Sequence, residues 1–168
     1  DQIRHAIREK QQQQESLLVS MRGLQNQIQW LQNMENEYEG FSGSVKAVMQ
    51  LKKQDPKRYG RIHGTLADVI RVPSEYALAI EIALGAAMQQ IVVGNEQDGK
   101  AAIAYLKRTG GGRATFLPLS TIQGKTLQES GLENCRGFVG IASQLVTSQP
   151  QYRGIVENLL GRTVIAQD

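Results

Sequence analysis

Cysteine is almost missing from this 168-residue chain. The single thiol, Cys135, cannot close an internal disulfide, which excludes a disulfide-stapled secreted scaffold and points to a reducing, cytoplasmic setting. With only two histidines there is also no ligand spacing for zinc, and no His or carboxylate arrangement that would make Cys135 a nucleophile. No apolar run approaches the roughly 18 residues of a membrane-spanning helix, and the N-terminus lacks the charged-then-apolar order of a signal peptide. Aromatic residues make up 5% of the chain, and only Tyr59 interleaves with its lysines, so a base-stacking platform is not suggested. His5 and His63 stand far apart, and Glu75, Glu81 and Glu157 fall on helical stretches better suited to ion pairs than to general acid–base work. The expectation is a protein that is not an enzyme, with no cofactor or metal in this chain.

What is present is organised around Gly60 to Gly94, GRIHGTLADVIRVPSEYALAIEIALGAAMQQIVVG. It reads as a short strand, a tight glycine turn at Gly64, a helix capped by Ser74, and a β-branched strand Ile91–Val93. Residues 77–87 make an apolar surface too wide for a solvent-facing helix. Gly85 within it suggests a close approach by another backbone. A shift of 76 positions brings Gly64 onto Gly140, Tyr76 onto Tyr152, Glu81 onto Glu157, Leu84 onto Leu160 and Gly85 onto Gly161. The repeat predicts two similar half-domains packed face to face, with Gly64, Gly85, Gly140 and Gly161 as structural glycines.

GTLADVIRV, YALAIEIALGAAMQQIVV, GRATFLPL, FVGIASQLV and LLGRTVIAQD, in this order, resemble the hinge domain of bacterial structural-maintenance-of-chromosomes (SMC) proteins over about residues 41–168. The resemblance implies a mixed α/β (α+β) fold of two pseudo-symmetric halves at the end of a coiled-coil arm. It further implies a homodimer of two hinges, joining two subunits of a chromosome-condensing and chromosome-segregating ATPase associated with the nucleoid. In that family ATP and magnesium bind head domains that this chain does not contain.

Residues 1–39 have no proline, one glycine and a net charge of −2; the rest carries +5. On a seven-residue lattice the a positions are Ile7, Gln14, Met21, Ile28 and Glu35, and the d positions are Ile3, Lys10, Leu17, Leu24, Leu31 and Tyr38. The apolar 3–4 spacing runs unbroken through Leu17, Met21, Leu24, Ile28 and Leu31, the seam of a coiled-coil helix. Such a helix is about 58 Å long, too long to lie along a domain of this size, and is expected to project. A lone coiled-coil strand is unstable in water, so it needs a partner helix. By the resemblance, that partner is the antiparallel helix returning from the hinge.

The expected boundaries are an arm at 1–39 and a hinge at 40–168. The hinge divides into a first half at 40–119, a connecting loop at 120–136 and the start of a second half at 137–168. The second copy contains the strand Phe138–Ile141, a helix over about 150–160 and the strand Thr163–Ala166, and it stops where the first continues, so the second half is expected to be cut short. Gly40-Phe41-Ser42-Gly43 breaks the arm, and Ser44 is expected to cap a helix that stops before Pro56. Lys52, Lys53, Lys57, Arg58 and Arg61 follow as one basic cluster; Lys107, Arg108 and Arg113 form a second. Both read either as solvated faces or as weak, sequence-independent DNA contacts, with Arg113 alternatively pairing an acid as it opens the strand 113–117. A primary DNA-binding module whose dimerisation is incidental is the alternative function. Asn95 should cap a helix that ends at Gly110-Gly111-Gly112. That triplet follows a helix and precedes a strand, the reverse of a phosphate loop.

Overall fold

The computed structural model describes residues 2–37 and 41–167, the side chains of residues 30, 31 and 33–37 excepted. The chain divides into two units, residues 1–40 and 41–168. The first is one helix of 36 residues, α1 (Gln2–Glu37). Leu17, Met21, Leu24 and Ile28 all lie on it with more than half of their surface in water. The side chains of Leu31 and Glu35, with Tyr38 and Gly40 of the arm boundary, lie outside what the structure describes.

The second unit opens with α2 (Gly43–Gln54), whose Val45, Val48, Met49 and Leu51 form the buried stripe expected of a helix on a core. Ser44 does not cap it. The helix begins one residue earlier, and the buried Ser44 hydroxyl donates to the Arg113 carbonyl at 2.6 Å. Asp55 caps the single turn α3 (Pro56–Tyr59) by accepting from the Arg58 N–H.

Then come β1 (Ile62–Thr65), α4 (Leu66–Val69), β2 (Ile70–Arg71), a 3₁₀ turn Ser74–Tyr76, α5 (Ala77–Leu84), a 3₁₀ turn Gly85–Gln89 and β3 (Ile91–Val93). After α6 (Glu96–Thr109) and β4 (Phe116–Pro118) the series recurs. It comprises β5 (Phe138–Ile141), α7 (Ala142–Leu145), β6 (Thr147–Ser148), a 3₁₀ turn Pro150–Tyr152, α8 (Arg153–Leu160) and β7 (Val164–Ala166). The 76-residue shift maps β1, α4, the first 3₁₀ turn and α5 onto their copies without offset. The expected duplication is therefore a structural one. β2 and β6 differ by one residue under the same shift, and the match breaks down past the helix, where six residues (85–90) reach β3 but three (161–163) reach β7.

β1 pairs antiparallel with β3, as β5 does with β7, and both first strands carry a register irregularity at their glycine, between Ile62 and Gly64 and between Phe138 and Gly140. Gly64 thus sits in a bulged strand at φ +141°, not in a tight turn. β4 adds to β3 in parallel through the crossover helix α6. That helix has the Asn95–Asp98 capping box, and Gly110 ends it in the left-handed conformation, as its sequence implies.

One apolar core serves both halves. Leu66, Ile70, Ile80, Leu84 and Val92 meet Val146, Ile155, Val156 and Leu160 in a single cluster.

Three further expectations fail for local reasons. Ser74 leads a 3₁₀ turn that runs directly into α5, and no side chain caps that helix. The strand expected at 113–117 starts only at Phe116, and Arg113 is exposed. Gly85 has nothing within 4 Å of where a Cβ would stand; its φ of +49° with ψ −126° is a backbone conformation that only glycine adopts readily. The close approach is at Gly161, where a Cβ would run into the carbonyl oxygens of Lys125 and Glu157.

Candidate functional site

The halves meet at a two-strand ribbon. β2 and β6 pair antiparallel with Ile70 opposite Ser148 and Arg71 opposite Thr147. Arg71 and Thr147 are the same position in the two copies, so an internal two-fold axis passes between them. The Thr147 hydroxyl donates to the Arg71 carbonyl at 3.4 Å, and the Arg71 guanidinium donates to the carbonyls of Asp68 and Ile70.

Beside the axis, His63 of β1 and Tyr152 before α8 are joined at 2.8 Å between Nδ1 and the phenol oxygen, ring edge to ring face. Burial pushes His63 below the ordinary histidine value, and the Lys52 ammonium pushes the same way against the opposing Asp98 carboxylate. Burial also raises Tyr152 above the ordinary tyrosine value, so the bond joins two neutral groups near pH 7. A cavity of about 430 Å³ opens here, lined by His63, Asp68, Arg71, Ser148 and Tyr152 among others. Asp68 already accepts from the backbone N–H and hydroxyl of Thr65, and Tyr152 is held by His63. The polar groups are committed to the fold, and the lining shows no acid–base pair poised for chemistry. Among the described residues no group of three His, Cys, Asp or Glu could hold a metal ion, and no helix is long and apolar enough to cross a membrane.

Sequence reasoning missed the His63–Tyr152 link, because 89 residues separate its ends and neither carries a local signature. The one-turn helix α4 was missed too, although Thr65-x-x-Asp68 is a visible capping pattern.

The two basic clusters are not brought together. Ser44, at the start of α2, bonds the carbonyl of Arg113, just past the end of α6, and lies 3.6 Å from where a Cβ on Gly112 would stand. The Gly94 N–H, ahead of α6, meets the Arg61 carbonyl beyond the end of α2. The two helices therefore run antiparallel, with Lys107, Arg108 and Arg113 at one end of the layer and Lys52, Lys53, Lys57, Arg58 and Arg61 at the other. The latter group is divided in role. The Lys52 ammonium donates to the His63 carbonyl at 3.2 Å and belongs to the fold, whereas Lys57, Arg58 and Arg61 are exposed. Arg58 lies over the ring of Tyr59 and Arg108 over that of Tyr105, at 5.4 and 5.7 Å, which leaves both cations at the surface. Tyr59 itself is buried and unavailable to a nucleobase.

A family model described as "SMC proteins Flexible Hinge Domain" matches residues 59–168. The chromosome partition protein Smc of Bacillus subtilis is 43% identical over 141 residues, 82% of this chain and 12% of that protein. Its counterpart from Desulfitobacterium hafniense is 42% identical over 140 residues, with the same coverage of both chains. This chain thus spans about an eighth of the length of these curated relatives. Among solved structures, an asymmetric dimer of the Geobacillus stearothermophilus SMC hinge domain matches with a TM-score of 0.73 and 42% identity, over 94% of this chain and 64% of that one. The Pyrococcus furiosus SMC hinge domain matches with a TM-score of 0.65 and 34% identity, over 82% and 70%.

Proposed function

The chain belongs to the SMC hinge family, and on that footing we propose that it is a joining module, pairing with a second hinge so that two coiled-coil arms are held together. The observation that carries this reading is the likeness to a hinge crystallised as a dimer, extending over 94% of the chain. The exposed seam of α1 supports the second half of the proposal. Leu17, Met21, Leu24 and Ile28 need a second helix, which we take to be the antiparallel strand of the same coiled coil. The work is mechanical and organisational, within a chromosome-partitioning protein acting on the nucleoid in the cytoplasm. ATP hydrolysis is assigned to other parts of that protein.

Sedimentation at increasing protein concentration tests the reading: a monomer–dimer equilibrium is expected, and a monomer at every concentration would overturn it. DNA contact is a finer proposal, resting on Lys57, Arg58 and Arg61 at one exposed end of the α2–α6 layer. Binding there should be weak, indifferent to sequence, and steeply reduced by salt. Reversing these three charges to Glu should weaken DNA binding while leaving the sedimentation profile unchanged. Equal DNA affinity before and after reversal would return them to an ordinary solvated face.

A further inference from the structure

The cavity at the internal axis is lined unequally by the two copies. His63, Asp68 and Arg71 reach it from the first half, and Ser148, Gln149 and Tyr152 from the second. Under the 76-residue shift the first three become Val139, Gln144 and Thr147, while Ser148 and Gln149 become Val72 and Pro73. Only the tyrosine recurs, as Tyr76. β5 and α7 form with these replacements as β1 and α4 do, and α7 starts without a side-chain cap where Asp68 accepts from Thr65 at the start of α4. The backbone therefore does not require the polar set. Among the described residues, hydrogen bonds use His63 Nδ1, Asp68 Oδ2 and Arg71 Nη1. They leave His63 Nε2, Asp68 Oδ1 and the Nε and Nη2 of Arg71 without a protein partner.

We propose that this cavity binds a small phosphate monoester with free hydroxyl groups, of sugar-phosphate size. Nε and Nη2 form the edge of a guanidinium that meets two oxyanion oxygens side by side. His63 adds a third donor in the tautomer that accepts from the Tyr152 phenol at Nδ1 and carries its proton on Nε2. The Lys52 ammonium, bonded to the His63 carbonyl, contributes a positive field behind it. Asp68 Oδ1 can only accept, so it repels the anion and selects a hydroxyl. At about 430 Å³ the cavity falls within the range of small-molecule sites and holds more than a bare phosphate. A nucleic-acid strand fits these groups less well, because it needs several cations in a row and here one guanidinium shares the lining with a carboxylate. Arg71 stands on β2 and Ser148 on β6, so the ligand spans the two halves.

The site lies within one chain, so its failure would leave the monomer–dimer reading untouched. Backbone amide spectra of the 168-residue chain are followed during titration with ribose phosphate, with ribose and with inorganic phosphate. Ribose phosphate is expected to shift the amides of His63, Asp68, Arg71 and Ser148, and to bind at least about tenfold more tightly than ribose or phosphate alone. Arg71→Gln should weaken that binding at least about tenfold. His63→Val installs the residue that β5 carries at the matching place, so the chain should stay folded by circular dichroism while its preference for ribose phosphate over inorganic phosphate falls. It keeps the test decisive if Arg71→Gln fails to fold. No binding, or equal affinity for ribose phosphate and inorganic phosphate, would overturn the proposal, as would binding undiminished in a folded variant. Shifts confined to Lys57, Arg58 and Arg61 would place the anion on the exposed basic end and overturn it too. Duplex DNA that moves the cavity amides where ribose phosphate does not would make the cavity a nucleic-acid contact, against the proposal.

Discussion

α5 and α8 stand at equivalent places, 76 residues apart, and differ in what they show to water. ALAIEIAL has one charge yet leaves Ala77, Leu78, Glu81, Ile82 and Ala83 exposed, whereas RGIVENLL, with a charged pair and an amide, leaves only Asn158 exposed. Their inner sides agree: Ile80 matches Val156 and Leu84 matches Leu160, all buried in the shared core. The lesson is that the core fixes the inner positions, because a close-packed interior tolerates little change of volume. The outer positions answer to whatever lies over them, and there the copies have parted.

The inner match predicts equal sensitivity. Leu84→Ala and Leu160→Ala should each cost about 2–5 kcal/mol by urea denaturation, since each empties the same cluster. A large cost at one and a negligible cost at the other would break the symmetry of the core.

The glycines sharpen the contrast. At Gly161 a single methyl meets two carbonyl oxygens, so Gly161→Ala should cost about 3 kcal/mol and a larger side chain more. At Gly85 the cost belongs to the backbone conformation, so Ala and Leu should cost alike, about 1–3 kcal/mol. A dependence on side-chain size at Gly85 would show that a neighbour crowds it after all.

The tyrosines should divide as well. Tyr152→Phe removes the bond to His63, at about 1 kcal/mol. At Tyr76 the equivalent of His63 is Val139, so Tyr76→Phe should stay within about 0.5 kcal/mol. Equal losses in thermal melts would mean that the hydroxyl at 152 matters for a reason other than the imidazole.

The smallest expected effect is a pH dependence. His63 has its folded pKa below the ordinary value of 6.5, so below about that pH the unfolded chain takes up a proton that the folded chain refuses. Stability is thus intact above that value and declines as pH falls toward the folded pKa. His63→Gln should narrow the difference in melting temperature between pH 7 and pH 5. An undiminished difference would assign the acid sensitivity to other groups.

Much of this fold is legible in the sequence itself. The strand at Phe138–Ile141, the helix closing at Leu160 and the strand closing at Ala166 follow from β-branched runs punctuated by glycine and proline. The Asn95 cap and the Gly110 exit follow from local hydrogen-bond chemistry. What failed was whatever depends on a distant neighbour. Ser44 resembles a cap by its position, yet its hydroxyl is claimed by Arg113, 69 residues away. Gly85 and Gly161 occupy matching positions, but only the fold reveals that one serves its torsion angles and the other the passing carbonyl of Lys125. The basic residues were easy to find and impossible to place, because their separation is set by the antiparallel run of α2 and α6.

The pairing of Arg71 with Thr147 bears on how such a chain could arise. A contact in which a position faces its own equivalent is what two identical molecules make when they associate about a dyad. Were the two copies separate chains, the same ribbon would lie on the dyad between them. Joining two such genes end to end would replace an encounter between separate molecules by one within a single chain, at a far higher effective concentration, and free each copy to drift on its outer side.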